Sequence, residues 1–317
     1  MKVNVVIEAE PEVARMKPPR FTYHDPVSRN EALALLSAYD DDAKILAGGQ
    51  SLVPLLNMRL TQPAHLVDIN HLTELAYIRE EHGERDGLTI GALTRHREVE
   101  RSALVRRLCP LLAEAMPLVG HPPIRSRGTV CGSLAHADPA AELPGVLLAL
   151  GGHVRVESQA SSRVIAVENL FVSELQTDLH SHELLTEVWF PSAPLRTGAA
   201  FLEICRRHGD FALVGVATQV TLADNDSIAE VHLALIGVGA TPIRATEAEQ
   251  QLHGKYTSAA IFKEAAKLVS ARLEPHDDIH ASAMYRRNVA GVLIERSLQL
   301  ACERAQQHAQ QSDGGKQ

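Results

Sequence analysis

Apolar and polar residues follow two different patterns along this chain. Between residues 20 and 193, short apolar runs bounded by Gly, Pro and Asp alternate with stretches of helical spacing. Ser28, with Glu31 three residues later, predicts the start of the first helix. Short strands interleaved with helices predict an α+β or mixed α/β fold. The predicted strands are Ile45–Ala47, His65–Ile69, Leu75–Arg79, Leu88–Ala92, His153–Glu157, Arg163–Val167 and Leu184–Phe190.

The pattern changes after the Pro-rich stretch Pro191–Pro194, which we interpret as a domain boundary. Three longer apolar runs predict an antiparallel sheet: Ala199–Arg206, Ala212–Leu222 and Ala229–Ile236. Two helices follow, one with an apolar face formed by Phe262, Ala265, Ala266 and Val269 and one over Ala283–Ala305. Residues 1–19 are expected to be an N-terminal extension, and the polar residues 306–317 a disordered tail.

The first candidate for chemistry is the stretch Ala47-Gly48-Gly49-Gln50-Ser51, which follows a short apolar strand. Paired glycines allow positive φ and a close approach of backbone N–H groups to another molecule. Such N–H groups form a nest that suits an anion, and Ser51 adds a hydroxyl donor. Taken alone, the stretch is compatible with a phosphate cradle but is more typical of an ordinary tight turn.

A second glycine-bearing turn is predicted about 80 residues later, at Thr129-Val130-Cys131-Gly132-Ser133. An apolar helical run, Leu143–Leu150, follows it, and the start of that helix would favour an anion. Two such turns, each with a hydroxyl donor, favour a two-sided clamp on a diphosphate.

Composition narrows the function classes. The 317 residues are 45% hydrophobic and 22% charged, which is typical of a soluble globular protein with two or three domains. A net charge of -8, a pI near 6.1 and 4% aromatic residues argue against binding to nucleic acid or anionic lipid. No apolar run is long enough to span a membrane, and Met1–Glu10 does not resemble a signal peptide, so a cytoplasmic location is expected.

Metal-binding signatures are missing from the sequence. The four cysteines are far apart with no CxxC, and the 16 histidines form no HExxH. We therefore expect this chain to hold no metal ion or iron–sulfur cluster of its own.

The two glycine-bearing segments resemble the FAD-diphosphate loops of the FAD-binding (medium) subunits of molybdenum hydroxylases. That family includes carbon monoxide dehydrogenase, xanthine dehydrogenase, 4-hydroxybenzoyl-CoA reductase and N-heteroaromatic hydroxylases. The likeness covers nearly the whole chain, because further motifs follow in the family's order: Gly91–His96, His136–Pro144, Gly209–Ala212 and Tyr285–Arg287.

The resemblance implies a fold, two domains and a cofactor site. It implies a vanillyl-alcohol-oxidase-type (p-cresol-methylhydroxylase-type) FAD-binding domain over residues 20–193 and a small α+β C-terminal domain over residues 199–303. Glu142 matches an acidic group that hydrogen-bonds the ribityl chain, with Asp138 as the competing candidate, and Asp210 and Arg206 would lie near the flavin ring. The implied diphosphate-binding residues are Ala47, Gly48, Gly49, Gln50, Ser51, Thr129, Val130, Cys131, Gly132 and Ser133.

The function implied by the resemblance is electron transfer in an oxidoreductase complex. FAD on this chain would take electrons from [2Fe-2S] clusters on a small iron–sulfur subunit and pass them to an external acceptor. Substrate oxidation would occur at the molybdenum cofactor of a large subunit, in a dimer of heterotrimers. Carbon monoxide, a purine, an N-heterocycle and an aromatic thioester are all compatible substrates.

Two other functions are compatible with the sequence. A free-standing FAD-dependent oxidase or reductase would need its own general acid or base near the flavin. A diphosphate-binding module without redox chemistry would need only the two loops.

Cys131 departs from the Gly-Gly that the family usually has at this point. A positive φ at Cys131 would cost about 1 kcal/mol or more, whereas a need only for a small residue would cost nothing. A low-pKa thiol beside a flavin would be redox-active, but we expect a quiet small residue. We also expect His136 to be a structural, non-covalent histidine, while Arg125 and Arg127 fit either phosphate binding or pairing within the fold.

Overall fold

The computed structural model describes residues 17–83 and 86–314, the last four for their backbone only. The chain begins with a small parallel sheet in the spatial order β1–β3–β2. Ser28 caps the first helix as predicted, because its Oγ accepts a hydrogen bond from Glu31 N at 3.3 Å. The elements are β1 (Thr22–His24), α1 (Arg29–Tyr39), β2 (Ala43–Leu46), α2 (Leu52–Asn57) and β3 (His65–Asp68).

An antiparallel sheet with the order β4–β5–β10–β6–β7 follows, surrounded by short helices. A hairpin of β8 and β9 lies between β7 and β10 in the chain. The strands are β4 (Ile78–Glu81), β5 (Gly87–Gly91), β6 (His153–Glu157), β7 (Ser162–Ala166), β8 (Phe171–Ser173), β9 (Gln176–Thr177) and β10 (Leu184–Pro191). The helices are α3 (His96–Arg101), α4 (Ala103–Leu108), α5 (Pro110–Ala115), α6 (Pro122–Arg127), α7 (Val130–His136), α8 (Glu142–Leu150) and α9 (Val167–Leu170).

The C-terminal part is a four-stranded antiparallel sheet in sequential order, with three helices after it. Its three long strands are those predicted from the apolar runs. The strands are β11 (Thr197–Cys205), β12 (Ala212–Leu222), β13 (Ile228–Ile236) and β14 (Ile243–Arg244), and the helices are α10 (Thr246–Leu252), α11 (Ala259–Ser270) and α12 (Ala283–Gly314). The predicted α+β class, with a larger first part followed by a smaller α+β part, is confirmed.

The C-terminal sheet has apolar residues on both faces, and the two faces belong to different cores. Phe201 and Ile236 pack with the first part of the chain, whereas Val214 and Leu235 pack with α11 and α12. Helix α8 is buried at all nine positions, since it lies between the antiparallel sheet and the C-terminal sheet. The packing of α8 therefore joins the two parts of the molecule.

Three predictions about elements were wrong. The expected strand Leu75–Arg79 is a 3-10 turn at Thr73–Leu75 followed by β4, because Leu75 turns inward and is 1% exposed. The predicted turn at residues 129–133 is the start of helix α7. The expected tail is helical through Gly314, since Ala305 and Ala309 are buried on the inner face of α12.

Some expectations lie on residues outside the described part of the chain. Residues 1–16 of the expected extension and residues 315–317 of the expected tail are among them. In the described residues, no helix is both long enough and apolar enough to cross a membrane.

Candidate functional site

A cavity of about 860 Å³ opens between the parallel sheet, helices α6 to α8 and the loop that follows β11. Both glycine-bearing segments contribute to its wall, together with Glu142 and the stretch Gly209–Phe211. This volume lies within the range of roughly 300–1,000 Å³ that is usual for small-molecule and cofactor sites. The two segments that sequence reasoning paired are therefore brought to one cavity.

The first segment, Ala47–Ser51, is a loop between β2 and α2, as predicted. Gly49 has φ +72°, a region that L side chains rarely adopt. Val53 N donates to Gly49 O at 3.0 Å, and the Gln50 side-chain amide donates to Gly48 O at 3.1 Å. All five residues line the cavity.

The second segment, Thr129–Ser133, is a helix start. Thr129 is the N-cap of α7, and its Oγ1 accepts a hydrogen bond from Gly132 N at 3.1 Å. A Cβ added to Gly132 would lie 2.6 Å from that same Oγ1, so the cap requires glycine there. Thr129, Cys131, Gly132 and Ser133 line the cavity, whereas Val130 is fully buried in the apolar core.

The first segment packs against Arg127 and Gly128, the two residues that come directly before the second segment. A Cβ added to Gly48 would lie 2.5 Å from Arg127 O and 2.8 Å from Gly128 Cα. Both of these atoms belong to the backbone, which cannot move aside as a flexible side chain can. Gly48 is therefore required by this contact.

Two polar side chains, Asn70 and Arg95, tie the segments together. The Asn70 amide donates to Ala47 O at 2.9 Å, and Arg95 Nη1 donates to Arg127 O at 2.8 Å. The bridge is completed by Arg95 Nη2, which donates to Asn70 Oδ1. Sequence reasoning missed this bridge, although Arg95 belongs to the motif Gly91–His96, because its partners lie 25 and 32 residues away in the chain.

Cys131 is a quiet residue of the second segment, as expected. It lies in the first turn of α7, does not have positive φ and is 2% exposed. Burial raises the pKa of its thiol far above the ordinary value. Cys131 therefore causes no backbone strain, and its thiol stays protonated at neutral pH.

The acidic residues Glu142 and Asp138 occupy different places. Glu142 is the first residue of α8, lines the cavity and is 4% exposed. Burial, together with the charge of Glu203, raises the pKa of Glu142 to about 8. Asp138 instead uses its Oδ1 to accept from Ala140 N at 2.9 Å, which organises the turn before α8. The geometry favours Glu142 over Asp138 as the cavity-facing carboxyl.

His96 is a second buried titratable group in the cavity wall. It is 5% exposed, and neither ring nitrogen has a hydrogen-bond partner within the described residues. Burial lowers its pKa to about 4, so the imidazole is neutral at physiological pH. A Cβ on Gly128 would lie 2.9 Å from its Nδ1, so Gly128 leaves room for this ring.

The arginines of the candidate motifs belong mainly to the fold. Arg125 is 6% exposed, pairs with Glu100 at 3.0 Å and donates to Gly120 O at 2.7 Å. Arg286 is 7% exposed and donates to the carbonyls of Leu213 and Gly237. These contacts support fold pairing for Arg125 and domain packing for the Tyr285–Arg287 motif.

The loop after β11 reaches the cavity, while Arg206 at its start faces solvent. Asp210 and Phe211 line the cavity. Arg206 is exposed, with its Nη2 3.6 Å from Asp210 Oδ2. Of the two residues that were expected near the flavin ring, Asp210 alone contributes to the cavity wall.

The site fits a dinucleotide with a diphosphate in its middle. Two backbone segments meet in one wall, each with a hydroxyl residue facing the cavity, Ser51 and Ser133. Gly48 and Gly132 occupy positions where a Cβ would collide with the Arg127 carbonyl and with the Thr129 hydroxyl, respectively. Within the described residues, no group of three His, Cys, Asp or Glu side chains is placed to hold a metal ion.

Comparison with known proteins gives two family matches along the chain. Residues 19–193 match the FAD binding domain in molybdopterin dehydrogenase. Residues 199–301 match the CO dehydrogenase flavoprotein C-terminal domain.

Individual relatives match over nearly their full length. The 6-hydroxypseudooxynicotine dehydrogenase complex subunit alpha of Paenarthrobacter nicotinovorans is 44% identical over 92% of this chain and 97% of the relative. The caffeine dehydrogenase subunit beta of Pseudomonas sp. (strain CBB1) is 39% identical over 91% and 97%. A solved structure of carbon monoxide dehydrogenase from Hydrogenophaga pseudoflava superposes with a TM-score of 0.86 at 36% identity, covering 90% of this chain and 99% of that one.

Proposed function

Because this chain belongs to the FAD-binding (medium) subunits of the molybdenum hydroxylase family, we propose that it relays electrons within such a complex. FAD, the cofactor of this domain family, would receive electrons from [2Fe-2S] clusters on a small partner subunit and pass them to an external acceptor. Substrate oxidation would take place at the molybdenum cofactor of a large partner subunit, in a dimer of heterotrimers.

The observation that carries the proposal is that both segments line one cofactor-sized cavity, with Gly48 packed against the backbone that leads into the second segment. In this proposal Ala47–Ser51 and Thr129–Ser133 bind the FAD diphosphate through backbone N–H groups and hydroxyls, and Glu142 faces the ribityl chain. Bound FAD supplies the redox chemistry, since no protein side chain exchanges electrons so readily. The chain contributes binding, orientation and exclusion of water.

We extend the proposal to the substrate class of the complex. The 44% identical relative is named for a pyridine alkaloid derivative and the 39% identical one for caffeine. Both names describe nitrogen heterocycles. We therefore propose that the complex oxidises an N-heteroaromatic compound on its large subunit.

Co-purification tests the proposal most directly. The chain is expressed with the genes that flank it, and the complex is isolated through a tag on this chain. We expect flavin, iron and molybdenum in the isolated complex and rapid bleaching of the flavin band when an N-heteroaromatic substrate is added. A complex that contains flavin without iron and molybdenum would contradict the relay, and substrate turnover by the isolated chain would support a free-standing oxidase or reductase.

A second arm separates the relay from simple flavin binding. In a complex that carries a Gly48→Val substitution, we expect loss of FAD and of acceptor reduction, while substrate still reduces the partner's iron–sulfur clusters. A substitution at Gly83, which has nothing within 4 Å of an added Cβ, serves as the matched control.

A further inference from the structure

Leu175, at the tip of the hairpin formed by β8 and β9, has an unusual backbone conformation. The strand register pairs Ser173 with Gln176, so the loop between them consists of Glu174 and Leu175. Leu175 has φ +57° at the second loop position, where turns with positive φ use Gly or Asn because other L residues are strained there. The turn itself therefore gives no reason for a leucine.

Burial within the chain does not offset this strain. Leu175 is 52% exposed, so much of its apolar surface remains in contact with water. A large residue keeps an unfavourable φ only where its surroundings impose it, and such residues cluster at binding sites. Six described residues other than glycine have positive φ, and Leu175 is the one among them that lines the cavity.

Two backbone hydrogen bonds connect the tip of the hairpin to the second glycine-bearing segment. Leu175 N donates to Ala137 O at 3.2 Å, and Ala137 N donates to Ser133 O at 3.2 Å. Ala137 is the left-handed C-cap of α7, the helix that begins in the second segment. Leu175 is therefore fixed at the far end of α7 from Thr129, about 10 Å along the helix.

The cavity wall around Leu175 contains other apolar residues. Ala135 of α7 and Leu179, which follows the hairpin, line the cavity with it. Leu179 packs against the apolar core, whereas Leu175 stays half-exposed. Sites for organic ligands combine apolar surface of this kind with a few polar groups. A half-exposed leucine about one helix length from the start of α7 suits a planar ring attached to a diphosphate bound there.

We propose that Leu175 packs against one of the two ring systems of the bound dinucleotide, and that its strained backbone conformation serves this contact. The inference rests on the proposed binding of FAD in this cavity. Contact with the ring would remove apolar surface of Leu175 from water, which offsets the unfavourable φ. Leu175 is thus a binding residue that lowers the stability of the chain when FAD is not bound.

Two substitutions at Leu175 separate the ring contact from the strain. Leu175→Ala removes the side chain beyond Cβ and keeps the unfavourable φ, whereas Leu175→Gly removes the side chain and the strain together. Both variants should bind FAD about tenfold more weakly than the wild type, because each loses the apolar contact. In the absence of FAD, Leu175→Gly should unfold at a higher urea concentration than Leu175→Ala.

The outcomes distinguish failure of the inference from failure of the proposed function. Unchanged FAD affinity in either variant overturns the inference. Equal unfolding midpoints of Leu175→Gly and Leu175→Ala also overturn it, since the φ of Leu175 would then carry no strain. A wild-type chain that binds no FAD would instead contradict the proposed function.

The chain offers a matched control for each effect. Val172 of the same hairpin is 57% exposed and does not line the cavity, so Val172→Ala should keep the wild-type affinity for FAD. Arg59 has φ +58° and does not line the cavity, so Arg59→Gly should be more stable than Arg59→Ala at equal FAD affinity. Weaker FAD binding by Val172→Ala would overturn the assignment of the contact to Leu175.

Titration with ADP identifies the ring, because ADP carries the adenine and the diphosphate without the isoalloxazine. A loss of ADP affinity of about tenfold in Leu175→Ala assigns the contact to the adenine. Unchanged ADP affinity, together with a shift in the absorption bands of bound FAD, assigns it to the isoalloxazine. If ADP affinity and the flavin spectrum are both unchanged, the inference is wrong.

Discussion

The two glycine-bearing segments look alike in sequence but are built differently. Ala47–Ser51 is a loop. Its Gly49 adopts a positive φ, and its Gly48 allows the backbone at Arg127 and Gly128 to come close. Thr129–Ser133 is the start of a helix, where Gly132 makes room for the capping hydroxyl of Thr129. Similar small-residue motifs therefore meet at one cavity through different local structures.

This difference determines which contacts a substitution in each segment would disrupt. The first segment depends on contacts with distant backbone, at Arg127 and Gly128, so a change there separates the two segments. The second segment depends on a local cap and on the buried ring of His96 beneath Gly128. We expect substitutions in the first segment to have larger effects than substitutions in the second.

The largest effect is expected for Gly48→Val. The added side chain collides with the Arg127 carbonyl and Gly128 Cα, both backbone atoms. Overpacking of this kind costs about 1–3 kcal/mol, and here it acts on the contact that closes the clamp. We predict a loss of FAD affinity on the order of 100-fold, measured by flavin fluorescence during titration.

Gly83→Val is the matched control for this substitution. Gly83 has open space around an added Cβ and does not have positive φ. The control should bind FAD like the wild type. Tight FAD binding by Gly48→Val would show that this contact is not needed for FAD binding.

Local patterns explain what the sequence could predict. Ser28 with Glu31 predicted a capped helix start, and the apolar run Ala212–Leu222 coincides with a strand. Both features depend on residues close together in the chain. The pairing of the two segments came from their similar glycine and hydroxyl residues and from motif order, and both segments line one cavity.

Long-range and geometric features could not be predicted in this way. The Asn70–Arg95 bridge depends on carbonyls at Ala47 and Arg127, whose positions follow from the whole fold. The helical start at Thr129 was mistaken for a turn, because a Thr-x-x-Gly cap and a glycine turn have similar composition.

The next effect in size concerns His96 and acid stability. Its folded pKa of about 4 lies below the unfolded value of about 6.5, so the folded state binds fewer protons. The stabilisation is complete above pH 6.5 and is lost as pH falls toward 4. Linkage gives a loss of about 2 kcal/mol between pH 8 and pH 5, which His96→Leu should abolish.

Urea unfolding at pH 8 and pH 5 measures this difference. The matched control is His276→Leu, which changes an exposed histidine that does not line the cavity. This variant should lose as much stability between pH 8 and pH 5 as the wild type does. An equal loss in His96→Leu would mean that another group causes the acid sensitivity.

The smallest effect is expected for Thr129→Val, which keeps the shape of the residue and removes the capping oxygen from Gly132 N. Loss of an N-cap costs about 1 kcal/mol of stability. Because the cap fixes the start of α7 in the cavity wall, FAD affinity should fall by less than about tenfold.

Ser28→Ala is the matched control, since it removes a comparable cap from α1. It should cost similar stability without lowering FAD affinity. Chemical unfolding and FAD titration of both variants distinguish the two effects. A fall in affinity as large as that of Gly48→Val would mean that the second segment, too, holds FAD mainly through its backbone position, and the contrast between the segments would then be one of local structure alone.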